Sequence, residues 1–264
     1  MYTAATLLYP HALATSVTLP MEILQAASQT ALARSRTGPQ VKMLLAAAQT
    51  GPLTLSSGLT LVPDISFNAL PALDLLLLPA IWRNPAPTIR AMASDLDILR
   101  RYAAAGTRIC SVGTGSCLLA EAGLLDAQAA TTHWNYFEQF ARRYPNVKLK
   151  TRHLITQSGN IYCVGSVNSI ADLMVHITEE WFGVGVARAV ENQFSPEIRR
   201  SFRAAAYQTE ADSSHHDESV IEAQQWLREH LGEPLTMGNL AAQVDLSPRT
   251  LNRRFRQATG MSPQ

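Results

Sequence analysis

The chain is 264 residues long, 47% hydrophobic and 16% charged, which is enough apolar material for a sizeable core and excludes a disordered polyelectrolyte. A formal net charge of +1 excludes a surface shaped as a whole for nucleic acid or an anionic membrane, so any such footprint must be local. No run approaches the roughly 18 apolar residues of a membrane span, no basic N-terminal leader is present, and Cys110, Cys117 and Cys163 form no CxxC pair or metal-ligand spacing; a cytoplasmic protein with reduced, packed thiols, no metal and no cofactor is expected.

The length predicts one large domain followed by a smaller one. In chain order, TAATLLY (3–9) reads as a strand and PMEILQAASQTALARS (20–35) as a helix, with Ile23, Leu24, Ala27 and Ala31 at helical spacing. VKMLLAAAQ reads as a strand, and PLTLSSGLTLVPD as two alternating runs around a Ser57-Gly58 turn. DLLLLPA (74–80) has the unbroken apolar character of a strand buried on both faces. A single helix is predicted over 83–106, ending at Gly106; TRICSV is the next strand and GSCLLAEAGLL the next helix. VKLKTRHLITQSGNIYCV (147–164) reads as a hairpin turning at SGN. A helix from Ser166 shows Ile170, Leu173, Met174, Ile177 and Trp181 on one face and closes at Gly183, before VGVARAVENQF adds another.

Strands separated by helices predict an α/β fold, a flavodoxin-like, mostly parallel sheet flanked by helices, with ligands beyond the carboxyl ends of the strands. That rule puts PAIWRNP and GTGS at one rim. The segment 195–216 turns polar and includes Ser213, Ser214, His215 and His216 without a nearby third metal ligand; it reads as a linker between a domain at 1–194 and one at 217–264.

The C-terminal segment carries the sharpest pattern. After a helix in ESVIEAQQWLREHL, Thr236 caps a short helix whose Met237, Leu240, Ala241 and Val244 recur at i, i+3, i+4 and i+7. Asp245 stands where the chain must turn sharply. Ser247 caps a second helix with Pro248 at its first position, Leu251 and Phe255 facing inward, and Gly260 ending it. This predicts a small all-α helix-turn-helix unit, whose second helix enters a major groove. From Ser247 onward Arg249, Arg253, Arg254 and Arg256 are unaccompanied by any acidic residue, a surface suited to phosphates and guanine edges.

LAAQVDLSPRTLNRRFRQATGMSP resembles the first helix-turn-helix of AraC/XylS-type transcriptional regulators, with S-P-R-T-L-x-R-x-F and A-T-G-x-S-P in register. The resemblance implies that Arg249, Asn252 and Arg253 face bases of double-stranded promoter or operator DNA, while Ser247, Thr250 and Arg254 hold phosphates. GTGSCLLAEAGLLDAQAATTHW, with RYPNV and LITQSGN, resembles the sensor domain of GlxA-type regulators, within the PfpI-like, class I glutamine amidotransferase-like superfamily. Members of the AraC type join two such helix-turn-helix units through a longer helix, and the sequence stops at MSPQ, where that helix is expected to begin.

In the enzymes of that superfamily a cysteine stands at the strand-to-helix elbow, assisted by an acidic residue near the first strand and by backbone donors after another strand. Here the elbow position is Gly113, the acidic position falls at or near Ser16, and Ala80 replaces the glycine of many relatives after the apolar strand, so no catalytic residue is expected. GTGSCL also lacks the third glycine of GxGxxG and the GK[ST] of a P-loop. The expectation is a non-catalytic pocket for an unknown small-molecule effector at Gly113, Thr114, Ile81, Trp82, His133 and Ser16, with the amides at the start of the helix after the glycine turn favouring an anionic or carbonyl group. A homodimer that reads DNA, and contact with RNA polymerase, are the partners implied. The alternative is an amidase-, protease- or deglycase-like hydrolase of the same superfamily.

Overall fold

A computed structural model describes residues 1–194, 206–208, 217–229 and 236–263. The chain divides into two compact units, Met1–Thr209 and Glu210–Gln264.

The first unit is built on an eight-stranded sheet in the order β12-β10-β11-β7-β6-β1-β2-β5. β1 (Tyr2–Leu7) lies between β2 (Val41–Ala47) and β6 (Leu75–Leu78), and β7 (Arg108–Val112) follows β6; these pairings are parallel. β10 (Ile155–Ser158) and β11 (Ile161–Val164) form the antiparallel hairpin of the sheet, turning at Gly159 with φ 60°. β5 (Ile65–Ser66) and β12 (Ala206–Gln208) occupy the edges. The central order β2-β1-β6-β7-β11 is the flavodoxin-like one, and its direction reverses between β1 and β6. A crevice is therefore expected beyond the carboxyl ends of those two strands.

The LLLL run shows why the sheet must be covered twice. Leu76 and Leu78 join one core with Ile109, Leu118 and Leu119, whereas Leu75 and Leu77 join the other with Ile23, Leu24, Val112, Leu173 and Met174. Alternate side chains of one strand point to opposite faces. The second face is closed by α1 (Ala14–Arg34), α6 (Val167–Phe182) and α7 (Val184–Phe194).

Several elements differ from the sequence expectation. α1 begins at Ala14, six residues before Pro20, which lies inside it. Pro20 removes one helical hydrogen bond, but Ser16, Val17, Pro20, Ile23 and Leu24 are all buried, and this continuous packing extends the helix across it. The single helix expected over 83–106 is divided into α2 (Ala86–Ala91), a 3₁₀ turn at Ala93–Asp95 and α3 (Asp97–Ala104). The break lets Met92, Leu96 and Leu99 all turn inward. Of the 147–164 hairpin, the part at Lys148–Leu149 (β9) leaves to pair with Ala129–Ala130 (β8). Ala206–Gln208 falls in the expected linker yet pairs in parallel with β10, because edge pairing uses backbone groups and needs no apolar stripe. The rest of 195–216, including His215 and His216, lies outside the described residues. The Ser57-Gly58 turn joins β3 (Leu53–Thr54) and β4 (Thr60–Leu61) as expected.

α4 (Ser116–Glu121) leaves β7 through a 3₁₀ turn at Gly113–Gly115 and passes against the end of β6. A Cβ on Gly115 would stand 2.5 Å from the Pro79 carbonyl oxygen and 2.8 Å from that of Leu78. Both obstacles are backbone, so the strand end itself would have to move. Gly115→Ala is therefore expected to destabilise the first unit by about 1–3 kcal/mol, read as a lower urea midpoint at unchanged slope; an unchanged midpoint would refute the close approach.

Candidate functional site

Gly113 keeps the backbone of an elbow, with φ 49° in the left-handed region. It also has room for a side chain. A Cβ there would meet the His133 Cβ at 3.5 Å and the Ala80 Cβ at 3.6 Å, ordinary contact distances. Space alone thus does not bar a nucleophile here, although the left-handed backbone would strain any side chain other than glycine's. The Gly113 carbonyl accepts hydrogen bonds from the hydroxyls of Ser116 at 2.9 Å and Thr132 at 3.1 Å, which hold the elbow from two sides.

The backbone donors after β6 are occupied by the protein's own groups. The Ala80 amide donates to Ser16 Oγ at 2.9 Å, and Ser16 donates onward to the Leu13 carbonyl at 2.7 Å. The Ile81 amide donates to Thr114 Oγ1 at 3.0 Å, and Thr114 returns its proton to the Ile81 carbonyl at 2.7 Å. The Trp82 amide donates to the His11 carbonyl at 2.8 Å. Oxyanion stabilisation needs unoccupied donors aimed at the reacting atom. Here two hydroxyls cap the amides nearest the elbow.

A cavity of about 380 Å³ opens at this rim, lined by Leu13, Ala80, Ile81, Trp82, Arg83, Thr114, His133, Asn135 and Tyr136. It brings together four residues expected from the sequence, Ile81, Trp82, Thr114 and His133. Ser16 and Gly113 are not among its walls. Ser16 is 1% exposed with its hydroxyl engaged twice, so its place is structural, a correction to its expected role as a lining group. The expected anion site at the α4 amides is corrected too: the helix has only six residues, and the Ser116 amide bonds back into the turn to Gly113 and Thr114. His133 is half-buried and its Nδ1 accepts from the Asn135 amide at 3.4 Å, starting the 3₁₀ turn Trp134–Tyr136. Sequence reasoning missed Arg83, Asn135, Tyr136 and Leu13. Arg83 directly follows Trp82, and Asn135 and Tyr136 lie two and three residues after His133, so closeness in sequence was the available signal; nothing marked Leu13.

The cysteines provide no substitute nucleophile. Cys117 is fully buried, and burial pushes its thiol up to about 12 despite an opposing pull from Arg143. Burial likewise raises Cys163 to about 11 and Cys110 further. Nearby, Arg143 and the Tyr144 hydroxyl both donate to Glu121 Oε1, at 2.6 and 2.8 Å, closing a surface latch between α4 and α5 (Phe137–Arg143).

In the second unit, α8 (Glu218–Glu229), α9 (Met237–Gln243) and α10 (Pro248–Thr259) surround a core of Val220, Ala223, Leu240, Ala241, Val244, Leu251 and Phe255. The Asn239 amide donates to Thr236 Oγ1 and the Thr250 amide to Ser247 Oγ, each at 3.2 Å, and Asp245 takes the left-handed turn with φ 51°. Arg249, Arg253 and Arg256 are exposed and lie at i, i+4 and i+7 on α10, opposite Leu251 and Phe255. Asn252 shares that side but is half-buried, its Oδ1 enclosed without a hydrogen-bond partner among the described residues. Arg254 is engaged elsewhere: its Nε and one terminal nitrogen each donate to the Asp217 carboxylate at 2.7 Å. Asp217 also accepts from the Val220 amide at the start of α8. Burial works to raise this carboxyl, but the Arg254 guanidinium and the amides of Val220 and Ser219 outweigh it and hold it below its ordinary value.

These thiol positions set reactivity and pH dependence. At pH 8 the folded chain is expected to leave all three thiols unlabelled by a disulfide reagent and to expose them only on unfolding. Because folded thiols keep their protons to higher pH than unfolded ones near about 8.5, the unfolded state ionises first. Stability should accordingly fall as pH rises above that value. Rapid labelling of Cys117 in the native chain would contradict both statements.

Comparison with known proteins agrees with this two-part arrangement. Residues 6–180 match the DJ-1/PfpI family, and residues 227–264 match the bacterial regulatory helix-turn-helix proteins of the AraC family. The chain is 32% identical over 155 residues to an isonitrile hydratase of Pseudomonas putida, covering 59% of this chain and 66% of that protein. It is 29% identical over 211 residues to the HTH-type transcriptional regulator CdhR of Pseudomonas aeruginosa, covering 79% of this chain and 61% of the relative. An AraC family transcriptional regulator structure from Pseudomonas putida superposes with a TM-score of 0.62 at 25% identity, covering 74% of this chain and 100% of that one. The chain thus spans about three fifths of the length of the curated regulator it matches. With an elbow at Gly113 and a helix-turn-helix pattern at its C-terminal side, the chain belongs to the DJ-1/PfpI family and carries an AraC-family helix-turn-helix segment.

Proposed function

We propose that this chain is a DNA-binding transcriptional regulator in which a non-catalytic DJ-1/PfpI-type unit senses a small molecule and the helix-turn-helix reads DNA. The observation that carries the reading is the exposed row of Arg249, Arg253 and Arg256 on α10, opposite the residues that pack the unit. Cations arrayed on one side of a second helix match a phosphate-lined major groove. Within that row Arg249 and Arg253, with Asn252, would face bases, and Ser247 and Thr250 would hold phosphates. Arg254 departs from the role expected for it, because its guanidinium is already paired with Asp217. It acts by holding α10 against the start of α8.

The sensor is the cavity at the β1/β6 crossover. Gly113, the capped amides of Ala80 and Ile81, and thiols held protonated all argue against catalysis there. One helix-turn-helix unit makes few base contacts, and a homodimer would add affinity through effective concentration. Effector binding changes DNA occupancy only if it favours one arrangement of the readers, with RNA polymerase as the downstream partner. The likeness to an isonitrile hydratase supports a second reading, an enzyme on the same fold; it requires turnover abolished by Cys117→Ser.

The reading is tested by fluorescence anisotropy of labelled DNA from upstream of the chain's own gene against random DNA. Sequence-preferring binding is expected, with Arg249→Ala/Arg253→Ala weakening it by about tenfold or more; equal affinity for both DNAs and no effect of the double substitution would refute it. Salt titrations separate the arginines further. A lost phosphate contact lowers the log–log salt slope by about 0.9. Arg254→Ala is expected to weaken binding without that change in slope, and a slope that falls would return Arg254 to the phosphates.

A further inference from the structure

The backbone donors of the rim pocket are occupied, and what it offers a ligand is one permanent cation, Arg83, among neutral polar and apolar side chains. The amides of Ala80, Ile81 and Trp82 are taken by Ser16, Thr114 and His11. Among the lining residues Arg83 is the sole permanent charge, and no carboxylate is present. Its backbone is held at φ 59°, in the left-handed region that side chains other than glycine rarely adopt. Strain of this kind persists where surrounding structure over-determines a residue, and it gathers at ligand clamps. The Arg83 guanidinium makes no ion pair or hydrogen bond with any described residue; its one recorded contact is the Trp82 ring, 5.9 Å from its central carbon. Arg100, Arg108 and Arg143 of this unit are matched with acidic partners, whereas Arg83 is exposed and, like the exposed Arg34, Arg36 and Arg90, has none among the described residues; its place on the cavity wall is what sets it apart.

The remaining polar groups carry no permanent charge and can donate hydrogen bonds. His133 Nδ1 accepts from the Asn135 amide, which leaves the neutral imidazole's Nε2–H as a donor. The Asn135 carboxamide and the Tyr136 hydroxyl complete the polar lining, against an apolar wall of Leu13, Ala80 and Ile81.

We propose that the elbow pocket takes a small organic acid, its carboxylate held by Arg83 and its apolar body lying against Ile81, Ala80 and Leu13. This rests on the reading of the cavity as the sensor site and names the chemical class of its ligand. A guanidinium fork matches a carboxylate bidentately, and the bond is charge-assisted on both sides. An amine of the same shape would meet an unpaired cation with no acidic group to offset the repulsion. At about 380 Å³ the cavity lies at the small end of ligand sites, which limits the body to a short chain or a single ring.

The test is isothermal titration of the full chain with shape-matched sets: benzoate, benzamide and benzylamine, and pentanoate, pentanamide and pentylamine. Arg83→Gly is the diagnostic variant, because glycine accepts the left-handed backbone and the fold is retained; Arg83→Lys keeps the charge without the fork. The expected result is that an acid binds, its amide binds about tenfold or more weakly, the amine does not bind, and Arg83→Gly abolishes the acid's advantage while Arg83→Lys retains part of it. Amides or amines that bind as well as acids, and are lost in Trp82→Ala and His133→Ala, would overturn the ligand class while leaving the pocket as the sensor. An acid that binds equally to the parent, Arg83→Gly and Trp82→Ala would overturn both. Absence of binding by either acid at millimolar concentration would overturn the proposal.

Discussion

The bonds between the Thr114 hydroxyl and both backbone groups of Ile81 organise the functional rim of the first unit. They tie the turn after β7 to the loop after β6, and Ser16 does the same between α1 and Ala80. Three segments distant in sequence are thereby held at the carboxyl edge of the sheet. Gly115 permits this closeness, since its missing Cβ is what lets α4 start against the Pro79 and Leu78 carbonyls. A buried hydroxyl that both donates and accepts leaves no orphaned backbone group at the junction, as a low-dielectric site requires.

The same bonds decide what chemistry the rim can support. An acyl-transfer site keeps backbone amides free for a developing negative charge. Here those amides already have partners, and the elbow residue has no side chain. Under the proposed function, recognition would fall to Arg83, His133, Asn135 and Tyr136, which line the cavity. A family scaffold thus retains its crevice at the β1/β6 crossover, and under the proposed function the groups at its mouth would serve binding.

In the C-terminal unit a comparable division is made among arginines. Leu251 and Phe255 orient α10, which turns Arg249, Arg253 and Arg256 outward. Arg254 sits on the flank of the packed side and meets Asp217, the residue that also begins α8. One guanidinium therefore fixes the geometry in which the others are presented. Under the proposed function, a cation in the reading helix contributes to DNA binding without touching DNA.

Periodicity and capping chemistry were sufficient for much of this. The apolar run at 75–78, the alternation of strands with helices, Thr236 and Ser247 as caps, and Asp245 in a left-handed turn are local effects, and local sequence specifies them. Gly113 was readable as an elbow without a nucleophile for the same reason. The helix through Pro20 was not, because burial along α1 outweighs a local penalty, and neither was the division of the 83–106 helix, which follows from where Met92 and Leu96 find their core. Ser16 as a cap for Ala80, Thr114 as a latch on Ile81, Arg83 without a counter-ion among the described residues and Arg254 paired with Asp217 each depend on a partner distant along the chain or on the absence of one there. Sequence alone determined which groups were available at the rim and on the reading helix. Tertiary structure decided which of them remained free, because a hydrogen bond or ion pair is settled by distances that only the folded chain sets.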